Sequence, residues 1–213
     1  MERRQFKREP PDQRKLDLIE ATLSVVAENG VKGATVREIS RRATVTQGLI
    51  RHYFSSKDEL IDAAYHHHMT QMNDLIYARA LESEGNATDR LKVFVEASLM
   101  PPVVSPRAIA LWASFLFQLR QNPNMRRTHE KTYIAFRARL EDLIGAAFEE
   151  TGRKATKDRL RHLAVACNAV IDGLWLEGGA LPEAFTPGEL CDIGLRSVGS
   201  IIAIDLRQNA EQA

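Results

Sequence analysis

Along this chain the apolar residues return at intervals of three and four, and no stretch alternates apolar with polar as a half-buried strand does. The expected fold class is therefore all-α. Caps, prolines and glycines cut the pattern into about nine helices. The first begins near Asp12, after Pro10-Pro11, carries the stripe Leu16, Ile19, Leu23 and Val26, and stops at Asn29-Gly30. The second starts from Thr35, with Glu38 placed to complete a capping box, and carries Val36, Ile39 and Ala43. A short break at Thr44-Val45 leads to a third, capped by Thr46 and covering Gln47 to His52. Ser56 and Glu59 form a second box that opens a long helix from Lys57 to about Leu81. Beyond the Ser83–Asn86 linker, Thr88 is expected to cap a helix through Leu99. Pro106 then starts one that runs to about Gln121. The last three are expected over 124–150, 156–180 and 187–207.

Two short helices joined by a tight turn, the second offering polar side chains outward, make a helix-turn-helix pattern. In the second, Leu49 and Ile50 are the apolar anchors, while Gln47, Arg51 and His52 point elsewhere. Glutamine pairs with adenine and arginine with guanine, so these three suit base edges. Gly48 removes a side chain where a helix must approach a duplex closely, and Thr46, Tyr53 and Lys57 are placed for phosphates. The plainer alternative is an amphipathic surface helix. Charge supports the first reading. Residues 1–57 hold twelve Lys/Arg against seven Asp/Glu, and the remainder seventeen against twenty-one, although the whole chain nets only +1. Arg3, Arg4, Lys7 and Arg8 form a basic tail that is either a minor-groove arm or a solvated tail.

The stretch from Thr35 to Ala63 resembles the DNA-binding region of the TetR family of transcriptional repressors, with matches at Thr35, Ile39, Ala43, Val45, Gly48, Ile50, Tyr53, Phe54, Lys57 and Leu60. The resemblance implies that Thr35, Thr46, Tyr53 and Lys57 hold the DNA backbone and that Gln47, Arg51 and His52 touch bases. It divides the chain into a helix-turn-helix domain over 1–56, with its arm at 1–11, and an effector-binding and dimerisation domain over 57–213. Thr44 stands where the family has a turn glycine, which costs something like 1 kcal/mol if φ must be positive there. Arg51-His52 also departs from the usual pattern, so the operator sequence does not carry over.

Residues 108–123 and 169–181 resemble the choline-responsive betaine-synthesis repressor branch of that family, most closely at Ile171–Leu176. The resemblance implies a small-molecule effector. A quaternary ammonium has no N–H, so a protein holds it with aromatic faces and a carboxylate. Asn168, Asp172 and Trp175 fall at i, i+4 and i+7, on one helical face. Trp112 with Phe115, and Tyr133 with Phe136, each lie one turn apart and could complete a box; any one of them could equally be core. The last two helices look like a dimer interface. Leu163, Ala166, Val170 and Leu174 give one stripe, and Leu190, Ile193, Val198 and Ile201 another. Gly194 and Gly199 are expected to let helices close up. By resemblance this pair meets its two-fold mate in a four-helix bundle, setting the reading helices about 34–36 Å apart, one duplex turn.

The expected partners are thus double-stranded DNA, a second copy and a small-molecule effector, with no membrane and no cofactor. A drug-like or lipid-like effector stays open, as does a small-molecule-binding protein or enzyme without DNA affinity. Against an enzyme, no GxSxG elbow, phosphate-binding loop or HExxH motif occurs. The consecutive His66, His67 and His68 diverge by about 100° each on a helix, so they are not expected to share a metal. Cys167 and Cys191 read as reduced thiols of a cytoplasmic protein. The basic N-terminus leads into no apolar run of a signal peptide, and no run is long enough for a membrane span.

Overall fold

The computed structural model describes residues 11–207, so the basic tail of Arg3, Arg4, Lys7 and Arg8 lies outside the described residues. Among those described, nine α-helices and one 3-10 turn account for the regular structure, with no strand. They are α1 (Pro11–Gly33), α2 (Val36–Arg42), α3 (Gln47–Tyr53), α4 (Lys57–Glu82), α5 (Ala87–Ser98), α6 (Pro106–Leu119), α7 (Pro123–Glu150), α8 (Lys157–Ala180) and α9 (Glu189–Ile202). The all-α expectation therefore holds. Boundaries shift at the ends: the last helix starts two residues later and stops five earlier than the periodicity suggests.

Several local expectations need correction. Gly30 does not end α1. It bends the run at φ 66°, ψ 174°, and helical turns resume as far as Gly33. Thr35 accepts from the Glu38 amide, but the Glu38 carboxylate turns to Arg41 (2.5 Å) instead of reaching back, so only half of that capping box forms. At Ser56 the same amide contact forms, while the Glu59 carboxylate accepts from the Ser55 amide and hydroxyl at 2.7 and 2.6 Å. Asn86, not Thr88, caps α5, in a complete box with Asp89. The Thr88 amide and hydroxyl donate to Glu150, tying the start of α5 to the end of α7.

The buried side chains fall into two groups. One knits α1, α2, α3 and the first half of α4, with Leu18, Ile39, Ile50, Phe54 and Leu60 among its members. It also takes in Tyr65 of α4, Leu111 and Phe115 of α6, and Met125 of α7. The other joins α5, α7, α8 and α9 to the second half of α4 through residues such as Ile76, Phe94, Leu140, Ile171 and Val198. The long helix α4 is common to both, so the helix-turn-helix head is continuous with the body through packed side chains.

That packing sorts the expected dimer residues. Leu163, Leu190 and Val198 are at most 8% exposed and belong to the chain's own core, because α8 and α9 must first bury a face against α5 and α7. The two glycines are likewise spoken for. A Cβ at Gly194 would meet Leu99 Cδ1 at 2.3 Å, and one at Gly199 the Ile204 carbonyl at 2.7 Å, both within the chain. These five therefore pack within the chain. Ala166 is exposed, and Val170, Leu174, Ile193 and Ile201 are half-buried.

Candidate functional site

The turn between α2 and α3 decides whether α3 can present a reading face. Ala43 closes α2, the Thr44 amide donates to the Arg41 carbonyl at 3.2 Å, and the Val45 amide donates to the Ser40 carbonyl at 2.9 Å. This is the Schellman pairing, whose penultimate residue must be left-handed. Thr44 sits there at φ 57°. Of the two outcomes open to Thr44, the chain takes the ordinary geometry with a strained residue. Val45 and Ile50 can then pack inward, and Thr46 caps α3 by accepting from the Leu49 amide at 3.3 Å.

On α3, Thr46, Gln47, Gly48, Arg51 and His52 are all exposed, as is Thr35 at the start of α2. Tyr53 is half-buried, its ring edge-on to His52 at 5.1 Å between centres. Lys57 opens α4 beside them, with its ammonium 3.4 Å from the Val31 carbonyl. A Cβ at Gly48 would meet nothing in the chain closer than Thr46 Oγ1 at 3.8 Å. The fold itself therefore has no need of glycine there, and the missing side chain matters only to something outside. Of the eight residues singled out for DNA, six are exposed and Tyr53 and Lys57 are half-buried.

A second site lies where the two buried groups meet. A cavity of about 350 Å³ is enclosed by α4, α6, α7 and α8. All seven residues singled out in the C-terminal part line it: Trp112 and Phe115 from α6, Tyr133 and Phe136 from α7, and Asn168, Asp172 and Trp175 from α8. The Tyr133 hydroxyl and Asn168 Nδ2 both donate to Asp172 Oδ2, the latter at 2.9 Å. Asn168 Nδ2 also lies 3.0 Å from the Tyr133 oxygen. Trp175 is anchored by its Nε1–H to the Val103 carbonyl at 2.8 Å, and Trp112 meets it edge-to-face at 5.8 Å. Phe115 and Phe136 serve the core as well as the wall, packing on Tyr65 and Phe94 at 4.9 and 5.0 Å.

Burial raises the Asp172 carboxyl to about 6, because the cavity withholds water from the anion. Among the described residues no Lys or Arg lines the cavity. The guanidinium of Arg137 stands outside the lining, 5.6 Å from the Tyr133 ring centre. Burial also pushes the two histidines of the lining down, His68 to about 4 and His129 below its usual value, so both are neutral near pH 7. At that pH the walls carry one negative charge, surrounded by aromatic rings.

Sequence reading missed the α4 wall: Tyr65, His68, Met69, Met72, Asn73 and Ile76. The signal was present, since Tyr65, Met69, Met72 and Ile76 repeat at helical spacing. The three histidines end in three surroundings: His66 is exposed, His67 meets Glu20 at 3.1 Å, and His68 lines the cavity. Cys167 and Cys191 are free thiols.

Comparison with known proteins places these features. A family model for BetI-type transcriptional repressors, C-terminal, matches residues 87–203, and one for bacterial regulatory proteins of the tetR family matches 18–64. The HTH-type transcriptional regulator BetI of Proteus mirabilis (strain HI4320) is 32% identical over 177 residues, 83% of this chain and 85% of that protein. The crystal structure of a transcriptional regulator from Pseudomonas aeruginosa PAO1 superimposes with a TM-score of 0.83 at 33% identity, covering 96% of this chain and 97% of that one. A regulator from Saccharomonospora viridis, crystallised in complex with choline, gives a TM-score of 0.70 over 90% of this chain and 96% of that one. At 19% identity, that last likeness shows the fold alone.

Proposed function

Because the chain belongs to the TetR family of bacterial transcriptional regulators, with a BetI-type repressor C-terminal domain, we propose that it represses by holding a palindromic operator as a dimer and responds to an organic cation of the choline class. The observation that carries the ligand is Asp172, a half-buried carboxylate that lines, with Trp112, Tyr133 and Trp175, a cavity without a lining Lys or Arg. A cation supplies the counter-charge that the site lacks, and the rings present their negative faces to it. A purely apolar effector would leave the carboxylate buried and uncompensated, which is costly. The regulator from Saccharomonospora viridis, solved in complex with choline, makes choline the first compound to try.

The operator contacts assigned to this surface are backbone contacts from Thr35, Thr46, Tyr53 and Lys57, and base contacts from Gln47, Arg51 and His52 around the bare Gly48. The dimer contact assigned is the outer face of α8 and α9. Val165 is 38% exposed there, and Ala166 and Ala169 are small and exposed beside it. A two-fold axis through that face would set the two reading helices about 34–36 Å apart. Coupling runs through α4. The cavity walls Tyr65 and Phe115 share a core with Ile50 of the reading helix, whereas Ile76 and Ile171 belong to the C-terminal core. A ligand that fits only one tilt of α4 would shift the head spacing, and it must prefer the released state to act as an inducer.

The test is a gel-shift titration on the DNA upstream of the protein's own gene, with and without choline and betaine aldehyde, for the wild type and Asp172→Asn. Specific binding that either compound releases, and that becomes unresponsive in the variant, supports both halves. Binding indifferent to both compounds rejects them as effectors, and no binding at low salt rejects the operator assignment.

A further inference from the structure

Choline would leave much of this cavity empty. At ~30 Å³ per water in the liquid, a void of about 350 Å³ has room for about a dozen waters, against the about seven non-hydrogen atoms of choline. The void is also long, since α4 lines it from Tyr65 to Ile76, a stretch of about 16 Å at 1.5 Å per residue.

Polarity is concentrated within that length. Asp172, Tyr133 and Asn168 are hydrogen-bonded to one another in a single knot. Elsewhere the Tyr65 hydroxyl meets His129 Nδ1 at 2.6 Å and the Asn73 amide donates to the Thr132 carbonyl at 2.9 Å, which leaves the neutral His68 imidazole as the polar group of the α4 wall. What remains for a ligand is Met69, Met72, Ile76 and Phe115, with the two methionines free to adjust to its shape. Such walls hold water poorly and reward apolar atoms that replace it.

We propose that the effector is larger than choline: a monovalent ammonium whose charged end meets Asp172 and whose apolar arm lies along α4 between Met69, Met72 and Phe115. This rests on the cation reading above and narrows its class. A cation with such an arm touches Phe115, one of the walls that share a core with the head.

The test is a binding series on the full-length wild-type protein at pH 8, by calorimetry and melting temperature, with choline, butyltrimethylammonium, hexyltrimethylammonium and benzyltrimethylammonium. Affinity is expected to rise about fourfold per methylene until the arm chamber fills, which places hexyltrimethylammonium about thirtyfold or more ahead of choline. Met69→Trp, which puts bulk into the arm chamber, should narrow that ratio to a few-fold, and a ratio unchanged by it overturns the placement of the arm along α4. A flat series, with choline within about twofold of the hexyl compound on this scale, overturns the arm and keeps the cation. If none of the four binds, the cation reading falls and the arm with it.

Discussion

Tyr133 and Asp172 lie 39 positions apart in sequence, yet the hydroxyl of one donates to the carboxylate of the other across the α7–α8 contact. Asn168, one turn before Asp172, donates to the same oxygen. These two donors fix the direction of the carboxylate, while burial, which withholds water from the anion, raises its pKa to about 6.

Cation binding should depend on pH through this one group. Its carboxyl titrates at about 6 in the empty cavity, so above that the site is anionic and binding is at full strength. Below it, a cation must displace a proton, and affinity should fall about tenfold per pH unit. Calorimetry of choline or a longer ammonium between pH 5 and pH 8 measures this. A flat profile would show that Asp172 does not face the charge.

The same burial costs stability. A carboxyl whose pKa is higher folded than unfolded weakens the fold once pH exceeds both values, and the penalty fades as pH falls from about 6 toward 4. Asp172→Asn without ligand should therefore melt higher than the wild type at pH 7.5, by about 1 kcal/mol or roughly 2–4 °C. The gap should shrink at pH 5. A variant that melts well below the wild type would mean that the anion holds the Tyr133 and Asn168 hydrogen bonds more strongly than burial opposes it.

Thr44→Gly should raise the melting temperature by about 1–3 °C. Relief of a β-branched residue from φ 57° gains about 1–2 kcal/mol, and the extra freedom of glycine in the unfolded chain returns 0.5–1 of it. Operator affinity should stay within about twofold, because the Schellman hydrogen bonds are already in place. A loss of stability would mean that the Thr44 side chain makes a favourable contact that offsets its strain.

Lys57 and Arg51 should separate on DNA. Lys57→Ala should weaken binding to every sequence and lower the slope of log affinity against log salt by about one. Arg51→Ala should cost about 1–3 kcal/mol at one base position and relax the preference there. Equal losses on specific and random DNA in both variants would refute this division.

Val165→Glu on the exposed face of α8 should turn the proposed dimer into a monomer in sedimentation and keep the melt cooperative. Val198→Ala, in a fully buried position, should instead lower the stability of each chain by about 1–3 kcal/mol and keep the dimer. Sedimentation unchanged by Val165→Glu would move the interface away from α8.

Helix content and the exposed polar face of α3 were legible in the sequence because each rests on near-neighbour rules. A 3.6-residue period places Asn168, Asp172 and Trp175 on one face whatever else is present, and Gly48, Ile50 and Tyr53 repeat a pattern specific to the family. The side chains of the capping residues were less legible. Glu38 and Glu59 found partners that compete with the box, since an exposed carboxylate chooses among nearby donors of similar strength.

What only the tertiary structure decided is which apolar face looks inward. Leu163, Ala166 and Val170 share one helical stripe, yet Leu163 serves the core while Ala166 is exposed. Periodicity reveals that a helix has an apolar side but not how much of it neighbouring helices will cover. Gly194 reads as a dimer contact from its spacing alone, whereas in the fold Leu99, which caps the end of α5, fills the space beside it. The α4 wall of the cavity emerged for the same reason. A void is defined by what four helices leave unfilled between them, and no single helix carries that information in its sequence.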